Sequence, residues 1–295
     1  MSEIQKVGVV GCGLMGSGIA QVCAQAGYDT VAREVDQALL DRGVTGITKN
    51  LDRAVAKEKI GEADRDAILG RLHPTLSLDD LAECDLVIEA IVENLGAKHE
   101  LFSALGELCK ATTVFSSNTS SLSITELAAG TDRPDRFVGL HFFNPVPVMP
   151  LVEVVRCGST SEESFRLAYA FAESLGKQPI ACGDNTGFVV NRLLVPYMLD
   201  AIRAYEAGVA SIPDIDKGMR LGCGYPMGPF TLGDFVGLDT LYHITDIMYD
   251  EYRDARFASP PLLRRMFLAG YHGRKTGKGF YDYSDDEPVV SDFVK

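Results

Sequence analysis

Two side chains near the middle of the chain have the types and spacing for acid/base chemistry. His141 lies at the end of an apolar run, Val138 to Phe142, and Glu153 lies inside a second, Leu151 to Val155. Between them, Pro145, Pro147 and Pro150 fix φ and withhold backbone donors, which excludes a helix or a central strand and predicts a rigid turn. If the two runs pair as neighbouring strands, the carboxylate reaches the imidazole and holds one tautomer. The other ring nitrogen is then free to take or give a proton. The competing reading is a satisfied, half-buried histidine beside an unrelated surface acid. The rest of the chain must supply the reactants that decide between them.

The first supporting element is at the N-terminus. Ile4 to Val10 is a β-branched run suited to a buried parallel strand, and it leads into Gly11-Cys12-Gly13-Leu14-Met15-Gly16 and a small-residue helix ended by Gly27. In this loop Gly11 makes a tight turn, Gly13 admits a pyrophosphate to the backbone, and Gly16 lets helix and strand pack closely. The helix N-terminus offers free N–H groups to that anion. A second strand, Asp29 to Arg33, ends at Glu34, where an acid would bind the adenosine ribose hydroxyls. A carboxylate there repels a 2′-phosphate, so NAD is expected over NADP, although neighbouring Arg33 could pair with a phosphate. A surface acid at a strand end is the alternative for Glu34.

From Asp36 to about Ile60 the pattern is helical, with Leu40, Val44, Ile47, Leu51 and Val55 forming a buried stripe. Lys49, Arg53 and Lys57 recur every fourth residue on roughly the opposite face. On so acidic a chain they could grip a phosphorylated handle such as coenzyme A. An ordinary solvated face, with Asp41, Asp52 and Glu58 nearby, is the other reading. Further on, Asp85 to Ala90 and Thr113 to Ser116 read as strands. Glu93, Lys98 and Ser120 fall just past their carboxyl ends, where ligands sit in a doubly wound sheet. The Ser/Thr/Asn cluster around Ser120 is also a normal helix-capping segment. Ser161 to Leu175 is predicted as helix and Gln178 to Cys182 as a last strand.

After Gly183 the strand signals stop. Helical patterns run over Phe188 to Gly208, with Asn191 in the first turn, then from Pro213, over Phe230 to Phe235, Leu238 to Tyr252 and Pro261 to Ala269. The tail, Ser284 to Lys295, reads as loose and acidic. Two domains are therefore expected, residues 1–184 binding the dinucleotide and 185–295 helical, as suits 295 residues. Leu193, Leu194, Tyr197, Met198, Ile202, Leu241, Ile244 and Met248 supply either a dimer seam or intrachain core.

Composition narrows the function classes. A net charge of −13 argues against nucleic acid as a partner. No apolar run reaches the roughly 20 residues of a membrane span, and the N-terminus lacks a signal-peptide layout, so a cytoplasmic protein is expected. Seven cysteines without a CxxC pair read as reduced core residues, and no metal site is expected.

The ordered motifs GCGLMGSGIAQ, DLVIEAIVEN, SSNTSSLSIT, GLHFFNPVPVMPLVEVV, DNTGFVVNR, MGPFTLGDFVGLD and GRKTGKGFYDY span Val7 to Tyr283. Through them the chain closely resembles the short-chain 3-hydroxyacyl-CoA dehydrogenases, particularly bacterial 3-hydroxybutyryl-CoA dehydrogenases. The resemblance implies an α/β fold, a Rossmann-type doubly wound, mostly parallel sheet followed by an all-α C-terminal domain that completes the substrate site and forms a homodimer. It implies oxidation of an (S)-3-hydroxyacyl-CoA with NAD, with His141 as base, Glu153 as its partner, and Ser120 and Asn191 binding the reacting oxygen. Cofactor contacts are implied at Gly11, Cys12, Gly13, Leu14, Met15, Gly16, Glu34, Glu93, Lys98, Ser120, Asn144 and Lys275. Coenzyme A contacts are implied at Asn50, Arg53 and Lys57. Glu34 stands where the family usually has aspartate. The rival readings are a dehydrogenase of the same fold acting on a free hydroxy or sugar acid (L-gulonate type), a 6-phosphogluconate-type enzyme, and a non-catalytic NAD-binding protein of crystallin type.

Overall fold

The computed structural model describes residues 4–294, and the chain divides into two compact units after Phe188. In the first unit the elements are β1 (Lys6–Val10), α1 (Leu14–Gln25), β2 (Asp29–Arg33), α2 (Gln37–Ala56), α3 (Glu62–Gly70), β3 (Leu72–Thr75), β4 (Leu86–Glu89), α4 (Leu95–Leu108) and β5 (Val114–Ser117). They continue with α5 (Ile124–Ala129), β6 (Phe137–Phe142), β7 (Leu151–Arg156), α6 (Glu162–Ser174) and β8 (Gln178–Gly183). The strands form an eight-stranded sheet in the order β3-β2-β1-β4-β5-β6-β7-β8, parallel except where β6 meets β7. The strand order reverses between β1 and β4, which opens a crevice at the carboxyl ends of the neighbouring strands.

Why these segments are strands follows from their burial. Every residue of β4, β5 and β6 is buried, as a parallel sheet covered on both faces requires. One apolar layer packs Ile19, Ile47, Leu51 and Phe171 on one face, and a second packs Phe102, Leu105, Phe115 and Leu127 on the other. These two layers fix the strand ends that carry the polar residues.

Two elements of this unit were not expected from the sequence. In α3 only Ile68 is buried, so its polar composition carries almost no periodic signal. It is set by Asp64, whose carboxylate accepts the Gly61 N–H. The strand β3 is the sheet edge, where Pro74 is tolerated because no further strand needs its missing N–H. The other elements fall within a few residues of the expected spans.

The second unit contains α7 (Val190–Glu206), α8 (Ile212–Cys223), α9 (Pro229–Val236), α10 (Leu238–Tyr252) and α11 (Pro261–Leu268). It is helical, as expected, with one small addition. A short antiparallel ribbon pairs β9 (Tyr281–Asp282) with β10 (Val289–Val290), so the acidic tail expected to be loose is partly ordered. Met198, Ile202, Leu241 and Met248 are buried within this unit, which accounts for much of the candidate dimer seam as plain core, whereas Leu193 is 71% exposed. Among the described residues no helix is long and apolar enough to cross a membrane.

Candidate active site

The β1–α1 turn is built as its glycines require. Gly11 has φ +95°, and a Cβ there would meet the Ala90 carbonyl oxygen at 2.6 Å. A Cβ on Gly16 would lie 1.7 Å from the Gly11 carbonyl oxygen, so the helix starts hard against the turn. Gly13 faces open space, and no side chain caps α1. The uncapped N–H groups and the clear backbone fit a pyrophosphate. Leu14 is exposed beside this opening.

Glu34 follows β2 and is buried against the same turn. Its carboxylate accepts the Cys12 N–H at 2.9 Å and its Val35 neighbour's N–H at 2.7 Å. Burial, with Glu34 adding to it, pushes the Cys12 thiol up to about 11. The acid expected at the ribose thus also braces the glycine loop. The Arg33 side chain turns away, donating from Nε to the Leu76 carbonyl at 3.3 Å.

The antiparallel pairing of β6 and β7 sets His141 directly opposite Glu153. Their side chains meet, with Nδ1 of His141 2.6 Å from Oε2 of Glu153, and Glu153 is fully buried. The carboxylate fixes the Nδ1–H tautomer and leaves Nε2 as the proton-accepting nitrogen. The imidazole packs against Phe143 and Phe188, with centroids 4.6 and 5.6 Å away. The choice left open between a working pair and two unrelated residues resolves to contact.

The loop after β5 carries Ser120. Its neighbour Asn118 accepts the Phe142 N–H at 2.9 Å, which ties the loop to the strand of His141. Glu93 gathers the same loop by accepting from Thr119 Oγ1, from Ser121 Oγ at 3.0 Å and from the Ser120 N–H at 3.2 Å. Burial alone would raise the Glu93 carboxyl. The Lys98 charge and these hydrogen bonds outweigh it and hold the group below the usual carboxylate range. Lys98 is not presented to the crevice as expected of a cofactor contact. It is buried, and its ammonium lies 2.7 and 2.9 Å from the two oxygens of Glu89 and 3.1 Å from Glu93.

The remaining expected residues are distributed as follows. Asn144 is exposed just beyond β6. Arg53 lies on α2 and Lys57 at its C-cap, both exposed, and Asn50 on the same helix makes a long 3.4 Å hydrogen bond to Gln21. In the second unit, Asn191 is in the first turn of α7 and the Lys275 ammonium is held by Asp239 at 2.6 Å. Sequence reasoning missed Glu89 and Asp184. A carboxylate closing the apolar run DLVIEA was the available signal for Glu89. Asp184 accepts from Ser123 Oγ, the Ile124 N–H and the Thr125 N–H, at 2.9, 2.9 and 2.6 Å, and so caps α5 from the far end of the sheet.

The doubly wound sheet and its glycine-rich β1–α1 turn define the class, a dinucleotide-binding α/β protein. Residues 6–185 match the family model for the 3-hydroxyacyl-CoA dehydrogenase NAD binding domain, and residues 187–283 match that for the 3-hydroxyacyl-CoA dehydrogenase C-terminal domain. The chain belongs to the 3-hydroxyacyl-CoA dehydrogenase family, whose members are NAD-dependent oxidoreductases. It is 50% identical to a 3-hydroxybutyryl-CoA dehydrogenase of Mycobacterium tuberculosis over 95% of this chain and 99% of that one. It is 47% identical to the mitochondrial hydroxyacyl-coenzyme A dehydrogenase of Homo sapiens, over 95% and 91%. The solved (S)-3-hydroxybutyryl-CoA dehydrogenase of Ralstonia eutropha superposes with a TM-score of 0.93 at 44% identity, covering 96% of this chain and all of that one.

Proposed function

We propose that this chain interconverts (S)-3-hydroxybutyryl-CoA and acetoacetyl-CoA, with NAD rather than NADP as its partner. The observation that carries the reading is the His141–Glu153 contact at 2.6 Å, set at strand ends beside a crevice whose glycine turn fits a dinucleotide. NAD, when bound, supplies the nicotinamide that accepts the hydride leaving C3 of the substrate. Nε2 of His141 takes the 3-hydroxyl proton during oxidation and returns it during reduction. Glu153 holds the Nδ1–H and stabilises the imidazolium that results. Ser120 and Asn191 direct hydrogen bonds at the reacting oxygen, where charge changes in the transition state.

The dinucleotide is held by residues 11–16, Glu34, Glu93, Ser120, Asn144 and Lys275, with buried Lys98 bracing Glu93 from behind, and the coenzyme A handle by Asn50, Arg53 and Lys57. Residues 1–184 bind the cofactor. Residues 185–295 complete the substrate site and join two copies into a homodimer that works in the cytoplasm. Exposed Leu193, Leu221 and Tyr225 in the second unit support the dimer. Light scattering that gave only monomer across micromolar concentrations would remove it.

The deciding measurement is oxidation of NADH and NADPH against acetoacetyl-CoA, a longer 3-oxoacyl-CoA and free acetoacetate. Fast turnover with NADH and acetoacetyl-CoA is expected, and turnover with the free acid is expected to be slow. Equal rates with the free acid, or no oxidation with either thioester, overturns the assignment.

A further inference from the structure

The cluster below the Ser120 loop is more than a scaffold. Glu89 ends β4 with no exposed surface, and its carboxylate accepts from Lys98, from Ser117 Oγ at 2.6 Å and from the Ile91 N–H at 2.7 Å. Lys98 bridges onward to Glu93, and Glu93 holds the Ser120 N–H. Two carboxylates and one ammonium leave one formal negative charge. The far end of the cluster is a single hydrogen bond from the loop of Ser120. On the reading under Proposed function, hydride transfer requires the nicotinamide to lie beside the oxygen handled by Ser120 and His141, hence near this charge. The Glu89 end of the cluster is shielded from water, and a charge there acts over several ångströms because the surrounding dielectric is low.

We propose that Glu89 is a positioning and redox-selecting residue: it is the second carboxylate that leaves the Glu89–Lys98–Glu93 chain with a net negative charge, which favours the positively charged nicotinamide of NAD+ over the neutral ring of NADH. Lys98 serves as the bridge rather than as a ligand of its own. A surplus carboxylate is the point of the arrangement, since Lys98 and Glu93 alone would balance. Glu153 adds a further negative charge on the neighbouring strand pair, and because Glu89→Gln leaves it in place it cancels from the comparison of parent and variant.

Dissociation constants of NAD+ and NADH, measured by calorimetry on the full-length protein and on Glu89→Gln, test this. The amide keeps the shape and removes one unit of charge, so the NAD+ constant is expected to rise on the order of tenfold while that of NADH stays within a factor of about two. Equal weakening of both overturns the inference, because a merely structural role moves the two together. The double variant Glu89→Gln/Lys98→Met leaves Glu93 as the one charge, so the NAD+/NADH ratio is expected to return toward that of the parent. A ratio that stays at the single-variant value counts against it. If Glu89→Gln does not fold, Glu93→Gln at the cluster's partly exposed end must show the same selective loss of NAD+, and an unchanged ratio there overturns the inference. A parent protein that binds neither dinucleotide instead removes the dehydrogenase reading and this inference with it.

Discussion

Both units bury carboxylates, and they do so in opposite ways. In the first unit Glu89 and Glu153 each face a nitrogen able to carry positive charge, Lys98 and His141. In the second, Asp216 and Asp234 are held by neutral donors. Asp216 of α8 accepts the Phe230 and Thr231 N–H groups at 2.8 and 3.0 Å, the Thr231 hydroxyl at 2.6 Å and the Tyr281 hydroxyl at 3.0 Å. Asp234 of α9 accepts the Phe280 and Tyr281 N–H groups, both at 2.9 Å, and the Tyr283 hydroxyl at 3.0 Å. The helix cap shows the logic. The N-cap of α9 is Gly228, which has no side chain to offer, and a Cβ there would meet Asp216 at 2.4 Å. Asp216 therefore caps α9 from a neighbouring helix. A buried acid with a titratable partner can serve chemistry. One saturated by backbone donors serves as a knot.

The contrast breaks most sharply at His141. His141→Gln removes the proton acceptor while keeping a polar group of similar reach. A loss of roughly 10²–10⁴ in kcat for acetoacetyl-CoA reduction is expected, with NADH binding retained. Stopped-flow turnover beside a fluorescence titration of NADH separates the two, and near-normal kcat would sink the role given to this residue. The matching change in the other unit acts on folding. Asp216→Ala strands two N–H groups at the start of α9 and the hydroxyl of Tyr281, so a stability loss of about 3–4 kcal/mol is expected in urea titration. A loss under about 1 kcal/mol would mean that water replaces the knot at little cost.

The first half of the chain was the more legible because its signals are local. A β-branched run, a glycine turn and an acid at the next strand end follow one another within about thirty residues, and each announces its own backbone geometry. The pairing of His141 with Glu153 needed the register of β6 and β7, and the sequence could offer it only conditionally. The prolines excluded helix but not two separated strands. Glu89, Asp184, Asp216 and Asp234 escaped because their partners lie elsewhere in the chain: the acceptor on Asp234 meets donors about 46 residues away. Asp216 reads as one more acid in an amphipathic helix, and nothing in its spacing shows that it faces another helix's first turn. The helix α3 and the β10 ribbon were missed for the reverse reason, since so little apolar surface is buried that periodicity carries no information.

Acid sharpens the same comparison. Burial pushes the Asp234 carboxyl from its ordinary 3.8 up to about 6, and the three hydrogen bonds it accepts only partly oppose that. Between those two values the folded protein holds a proton that the unfolded chain has released, so this group's contribution to stability falls as pH rises through the window. Relative to pH below 3.8, Asp234 costs about 3 kcal/mol above pH 6. Glu93 works the other way. Its carboxyl is held down, so its contribution is present above the unfolded pKa and is lost as pH falls toward the lower folded one. The two trends overlap in the whole protein. Subtracting the stability of Asp234→Asn from that of the parent between pH 4 and 7 isolates the first. A difference that declines with rising pH is expected, and a flat difference would mean that Asp234 is ionised throughout at no cost.

The smallest effect belongs to charges that are not buried at all. Arg53 and Lys57 are exposed, and neither forms an ion pair among the described residues, so whatever they hold must come from outside the chain. Exposed cations gain little from a single phosphate because water and salt screen them, and each is expected to contribute about 0.5–1 kcal/mol. Lys57→Ala and Arg53→Ala should each raise KM for acetoacetyl-CoA roughly twofold to fivefold at low ionic strength with kcat unchanged. The increase should shrink toward nothing in about 0.5 M salt, where the screening length is only a few ångströms. In contrast, the loss in Glu89→Gln, at a carboxylate without exposed surface, should persist at that salt concentration. A KM for acetoacetyl-CoA that ignores both substitutions at low salt would return this helix face to the solvent. The coenzyme A handle would then have to be held elsewhere.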